Sequence, residues 1–172
     1  EGHGTGMAGL ALFGNLVPHL AGNDTVSLRH RLESVKLLPP RGFPPTEERF
    51  YGARTKQAVA LPELREHQRK RVFCLAITNE DHSGVRPTTW SAAIDQEAAG
   101  VPVAGDDVPR RLFVVSAGNA PTPIDYAQLK DPDALEIEDP AQAWNALTVG
   151  GYTDLVNIDD PDLTDYTPLA AA

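Results

Sequence analysis

The order of short apolar runs and helical stretches constrains the fold of this 172-residue chain more than any other feature. Three runs have strand length, and they lie at 71–78, 111–117 and 146–152. Largely apolar runs of this length are typical of strands that are covered on both faces of a sheet. Between the first two runs a helix is predicted over 90–99, with Thr88 or Thr89 as its N-cap and Gly100 at its end. Strands that alternate with helices predict parallel crossovers in an α/β fold.

The first third of the chain extends this pattern. Thr5 is a suitable N-cap for a helix from Gly6 to about Leu16, because apolar side chains recur there at helical spacing. Apolar and charged residues alternate from Leu28, and the segment 28–38 therefore predicts a further strand that ends at two prolines. We therefore expect a three-layer parallel sheet of at least four strands, with helices on both faces.

The net charge makes nucleic acids and anionic membranes unfavourable partners, and the cysteine content rules out an internal disulfide. The formal net charge is −9, and residues 121–172 carry Lys130 as their single basic residue against 11 Asp and Glu. Such an acidic surface repels nucleic-acid backbones and anionic membranes, so neither is expected as a partner. Cys74 is the single cysteine, which rules out an intramolecular disulfide, and its apolar neighbours predict a buried, inert thiol.

Two short sequence segments, called phrases below, contain side chains that could take part in catalysis. Residues 3–9 read His-Gly-Thr-Gly-Met-Ala-Gly, which sets a histidine on a glycine-rich entry to a helix, where it can act as a positioned base. Residues 112–119 read Leu-Phe-Val-Val-Ser-Ala-Gly-Asn, which sets Asn119 after the end of an apolar strand. A side-chain amide at such a place can donate a hydrogen bond to an oxyanion. Reactive groups in parallel sheets gather at these strand ends, so we expect His3 and Asn119 to open onto the same edge.

In this order the two phrases resemble the subtilisin-like serine proteases, the subtilases, and the resemblance covers nearly the whole chain in outline. It implies a subtilisin-like fold and an endopeptidase that hydrolyses peptide bonds through a Ser-His-Asp triad, with His3 as base and Asn119 as oxyanion donor. Peptides or proteins would be the substrates, and no cofactor or metal is implied. The resemblance also implies a substrate groove lined by Leu75, Ala76, Ile77, Ser116, Ala117 and Gly118.

Parts of the family pattern are missing from the sequence. No Asp motif precedes His3, and none of the serines stands in a Gly-Thr-Ser or G-x-S-x-G context; these serines are Ser27, Ser34, Ser83, Ser91 and Ser116. We therefore expect residues 1–172 to be an incomplete piece of a subtilase catalytic domain that is inactive alone. We also expect such a piece to associate with itself through an exposed sheet edge, near which the runs 28–38 and 112–117 would lie.

Two other interpretations stay open at this point. Gly4, Gly6 and Gly9 satisfy G-x-G-x-x-G, and Asp24 follows at a distance that suits a non-catalytic α/β module binding a dinucleotide. The glycine motif indicates dinucleotide binding only where it directly follows a strand. A calcium site is the second possibility, although the usual Asp-x-Asp-x-Asp-Gly pattern is missing; its ligands would be Asp159, Asp160, Asp162 and Asp165.

Overall fold

The computed structural model describes residues 2–22, 25–40, 42–100, 109–119, 136–151 and 161–163. It divides the chain into two compact units, residues 1–70 and residues 71–172. His3 therefore belongs to the first unit and Asn119 to the second.

The regular elements described in the first unit are helical. It contains α1 (His3–Phe13), α2 (Val17–Ala21), a 3-10 turn (Glu48–Phe50) and α3 (Tyr51–Arg65). α1 begins at His3 with Gly2 as its N-cap, and no side chain caps it, so the predicted start at Gly6 with Thr5 as cap is wrong.

The strand predicted over 28–38 is also wrong, since none of these residues lies in a sheet. Leu28 and Leu32 are 54% and 42% exposed, so the alternation produces no buried face. Side-chain contacts, and not strand pairing, connect this segment to other residues of the first unit. His30 Nε2 lies 2.5 Å from the carbonyl oxygen of Ala11, and Arg69 forms an ion pair with Glu33 at 2.7 Å. A strand requires a hydrogen-bonded neighbour, which sequence alternation alone cannot supply.

The second unit is built on a parallel sheet of three strands in the order β1–β3–β5. The strands are β1 (Val72–Leu75), β3 (Leu112–Ser116) and β5 (Leu147–Val149). Between β1 and β3 the chain forms β2 (Asn79–Ser83) and α4 (Thr89–Ala99). β2 pairs antiparallel with the two-residue strand β4 (Glu138–Asp139) in a separate small sheet. The prediction of an α/β fold with a parallel sheet is thus confirmed.

The described residues place three strands in the parallel sheet, one fewer than predicted. Because β3 is paired on both sides, the prediction that residues 112–117 lie near an exposed edge is wrong. A short 3-10 turn, Pro161–Leu163, is the last described element.

One face of the parallel sheet forms the core of the second unit. Phe113 and Val115 are 1% and 0% exposed, and Phe73 stacks on Phe113 with ring centroids 5.2 Å apart. α4 contacts β3 and buries Ile94 completely, so this helix covers the same face. The helix boundaries follow the predicted signals: Thr88 caps α4, and Gly100 ends it in the left-handed conformation.

The opposite face of the sheet is partly exposed where it is described. Successive residues of a strand point to opposite faces, so the partners Val72 and Leu112 share this face with Cys74. Cys74 is exposed, which corrects the prediction of a buried thiol. Helices on both faces, and with them the three-layer architecture, stay a prediction.

Candidate functional site

The carboxyl ends of β1 and β3 lie side by side. Their parallel register sets Leu75 opposite Val115, so the two segments that follow leave the sheet at the same edge. The segments are 76–78 and 116–119, and they contain most of the side chains predicted to line a substrate groove. The structure therefore brings the two predicted groove walls, Leu75–Ile77 and Ser116–Gly118, to neighbouring strand ends, where ligand sites of parallel sheets form.

A carboxylate that was not predicted lies between these two segments. The backbone N–H of Glu138 donates to the carbonyl oxygen of Ala117 at 2.9 Å, which fixes β4 beside the end of β3. The hydroxyl of Thr78 donates to Glu138 Oε2 in a short hydrogen bond. The backbone N–H of Asn119 donates to Glu138 Oε1 at 3.1 Å. Glu138 is thus bonded through its side chain to Thr78, directly after the first predicted wall, and to Asn119, and through its backbone to Ala117 of the second wall.

Gly118 allows this close approach. Its φ is +113°, a backbone conformation that side chains with a Cβ rarely adopt. A Cβ built on Gly118 would lie 2.5 Å from Glu138 Cδ and 2.7 Å from Oε2, well inside contact distance. The carboxylate therefore lies directly against the glycine backbone, and only glycine fits there without a shift.

Asn119 lies just beyond β3 and is exposed. Its backbone is anchored through the hydrogen bond to Glu138, while no hydrogen bond of its side-chain amide to another described residue is found. The amide is therefore available as a donor to a ligand at the strand ends.

The strand β4 that carries Glu138 is itself well anchored. Asp139 is buried, and its Oδ1 accepts a hydrogen bond from the Thr88 hydroxyl at 2.6 Å and another from Gln142 Nε2 at 2.9 Å. The peptide bond from Asp139 to Pro140 is cis, and Pro140 is fully buried. The N-terminus of α4 thus holds the segment from which Glu138 extends.

His3 occupies the first position of α1 and is exposed. His3 belongs to the first unit and Asn119 to the second, and the prediction that the two open onto the same edge stays a prediction. Its predicted role as base therefore rests on the sequence phrase.

The dinucleotide interpretation finds no support in the structure. Gly4, Gly6 and Gly9 all lie within α1, whereas the fingerprint places its first glycines in the turn between a strand and a helix.

Of the predicted calcium ligands, only Asp162 lies in the described part of the chain; the other three fall outside it. Within the described ranges, no three His, Cys, Asp or Glu side chains are grouped so that they could hold a metal ion. None of the helices in those ranges is long and apolar enough to cross a membrane.

Sequence reasoning missed two residues at the strand ends. Thr78 directly follows the predicted wall Leu75–Ile77, and extending that wall by one residue would have included it. Glu138 is separated from Asn119 by 19 residues, and no local pattern marks such a long-range contact.

The chain matches a family of known proteins. A model of the Subtilase family, described as a peptidase family of type S8, matches residues 1–170. No curated protein and no solved structure matches the chain.

Proposed function

The chain belongs to the subtilase family, and from this premise we propose that it carries the general base and the oxyanion donor of a serine endopeptidase. The family match over residues 1–170 is the observation that carries the proposal, because it includes both sequence phrases in one alignment. Members of the family are serine peptidases, so the substrates are peptides or proteins.

In the proposed reaction, His3 takes the proton of a seryl hydroxyl as the oxygen attacks the scissile carbonyl. His3 then gives this proton to the leaving amine, and an acyl-enzyme remains. Water, activated by the same imidazole, hydrolyses the ester. Asn119 donates its side-chain N–H to the oxyanion of each tetrahedral intermediate, an effect for which subtilisin itself is a known case. The exposed amide of Asn119, on a backbone anchored by Glu138, supports this role.

The substrate groove of the proposal lies between Leu75–Ile77 and Ser116–Gly118. An extended peptide in this groove is flanked by two segments that leave neighbouring strands. The adjacency of the two segments in the sheet supports this assignment.

None of the serines of this chain is the proposed nucleophile. Ser91 is buried, and its hydroxyl donates to the carbonyl oxygen of Thr88 within the cap of α4. The other four serines, Ser27, Ser34, Ser83 and Ser116, stand in no Gly-Thr-Ser or G-x-S-x-G context. We therefore propose that the chain by itself is inactive.

A fluorophosphonate probe, which labels activated serines, tests the proposal. The 172-residue chain should remain unlabelled and should leave a fluorogenic peptide library intact. The longest product of the gene should react at one serine, and His3→Ala should abolish this reaction. His67→Ala is the matched control, since His67 is exposed in the turn after α3, and this variant should label normally.

Two results would contradict the proposal. Stoichiometric labelling of a serine in the 172-residue chain would place the nucleophile within it. Full labelling of the longest product in the His3→Ala variant would show that His3 is not the base.

A further inference from the structure

The Glu138 carboxylate carries a negative charge that the described protein leaves unbalanced. Glu138 is half-buried, and its two recorded side-chain partners, the Thr78 hydroxyl and the Asn119 N–H, are neutral donors. Among the described residues, no lysine, arginine or histidine side chain pairs with Glu138. A partly desolvated carboxylate is costly unless a cation or further donors approach it.

The carboxylate also has unused hydrogen-bonding capacity. An ionised carboxylate accepts about four hydrogen bonds, and each oxygen of Glu138 uses one. A guanidinium group can donate two parallel hydrogen bonds to the remaining sites, and an ammonium group can approach as a point charge.

The surroundings of the carboxylate fit the rest of a long cationic side chain. The two segments beside it are formed largely by apolar or small side chains, those of Leu75, Ala76, Ile77 and Ala117, with Gly118 opposite the carboxylate. The methylene stems of lysine and arginine pack on apolar surfaces of this kind while their charged ends reach a polar partner.

The position of the carboxylate indicates which substrate residue it contacts. The backbone of Asn119 is bonded to Glu138, and the side chain of the same residue is the proposed donor to the scissile carbonyl oxygen. The substrate side chain nearest to Glu138 is therefore the one on the residue that supplies this carbonyl, on the acyl side of the cleaved bond.

From these observations we infer that Glu138 is a specificity-determining residue that selects peptides with lysine or arginine directly before the cleaved bond. The inference rests on the proposed function, because it needs a peptide in the groove. A purely structural role for Glu138, as a tie between the ends of β1 and β3, makes a different prediction: its loss lowers stability and leaves peptide preference unchanged.

Binding to the whole 172-residue chain separates these possibilities without requiring catalysis. The probes are fluorescein-labelled tetrapeptide amides that differ only in their last residue, which is arginine, lysine, leucine or glutamate. We expect the arginine and lysine peptides to bind about tenfold more tightly than the leucine peptide, because a half-buried carboxylate attracts a cation more strongly than an exposed one. The glutamate peptide should bind most weakly, and added salt should reduce the preference.

Glu138→Gln should abolish the preference and leave the affinity for the leucine peptide within about twofold, since glutamine keeps the size and one acceptor oxygen of the side chain. Glu80→Gln is the matched control: Glu80 is an exposed residue of β2 in the same unit, and the variant changes net charge by the same amount. It should retain the preference of the unmodified chain.

A second measurement does not depend on how the variant folds. In the unmodified chain, the amide resonance of Asn119 reports on Glu138 Oε1, and it should shift with the arginine peptide and not with the leucine peptide. Equal affinity for the arginine and leucine peptides, or a preference that survives Glu138→Gln, overturns the inference and leaves the proposed function standing. If no peptide binds the unmodified chain, the proposed groove and the inference both fail.

Discussion

At the residue scale, the contact between Gly118 and Glu138 decides the shape of the strand ends. Gly118 combines a positive φ with a backbone that lies against the Glu138 carboxyl group. Both features exclude a Cβ, for separate reasons: the first is backbone strain and the second is steric overlap. Gly118 is thus needed for the local geometry of the segment that presents the Asn119 amide.

Gly118→Ala should lower the free energy of unfolding by roughly 1–3 kcal/mol, since alanine must adopt a strained φ and displace the carboxyl group. Urea unfolding of the variant and the unmodified chain measures the difference. Gly150→Ala is the matched control, because a Cβ there would lie 3.9 Å from Ala117 Cβ, an ordinary contact. In a Glu138→Ala background the same substitution should cost less, since the overlap is gone. Unchanged stability of Gly118→Ala would contradict this account.

At the scale of elements, the N-terminus of α4 links the helix to the strand that carries Glu138. The Thr88 hydroxyl accepts from the Ser91 N–H at 3.1 Å, and the Ser91 hydroxyl accepts from the Thr88 N–H at 2.9 Å. This reciprocal cap satisfies two backbone donors that the helix leaves open. The Thr88 hydroxyl donates its own proton to buried Asp139, so one threonine fixes both the helix start and β4.

Thr88→Val should therefore destabilise the chain by about 1–3 kcal/mol, through loss of the cap and of a hydrogen bond to a buried carboxylate. Thr88→Ser keeps the hydroxyl and should stay close to the unmodified chain. Thr89→Val is the neighbouring control: Thr89 is exposed at the first helical position, so the change should be within about 0.5 kcal/mol. Thermal unfolding followed by circular dichroism ranks the variants, and equal losses for Thr88→Val and Thr89→Val would refute the capping argument.

At the scale of the whole molecule, the uncovered face of the parallel sheet is the feature with the widest consequences. Four large apolar side chains of this face are between 48% and 63% exposed; these are Val72, Leu112, Leu147 and Val149. Strand register sets Leu112 beside Val72, and the exposed Cys74 lies in the same layer. Contiguous apolar surface of this kind favours association between copies.

The chain should therefore self-associate, with an average mass in light scattering that rises with concentration under reducing conditions. The reducing agent prevents intermolecular disulfides through Cys74 from imitating this effect. Leu147→Lys should shift association to higher concentration, because it sets a charge within the apolar face. Leu64→Lys is the control, since Leu64 is 82% exposed on α3 in the other unit. A strictly monomeric chain at high micromolar concentration would show that this face does not drive association.

Local signals in the sequence determined the elements that depend on neighbouring residues. The apolar runs at 71–78 and 111–117 contain β1 and β3, and the threonine and glycine that bound 90–99 set the ends of α4. These features are predictable because a cap, a turn or a buried strand is encoded within a few residues. The same locality made the two phrases around His3 and Asn119 sufficient to indicate the family.

Only the tertiary structure decided the features that depend on distant partners. Residues 28–38 alternate as a strand does, yet they form none, because a strand exists only with a hydrogen-bonded neighbour. Cys74 lies in an apolar run and is still exposed, since burial depends on what covers that face of the sheet. Glu138 reaches Thr78 across 60 positions and Asn119 across 19, contacts that follow from the pairing of β2 with β4 beside the end of β3. The sequence thus determined the elements and the family, while chain packing decided which charge lies at the proposed groove.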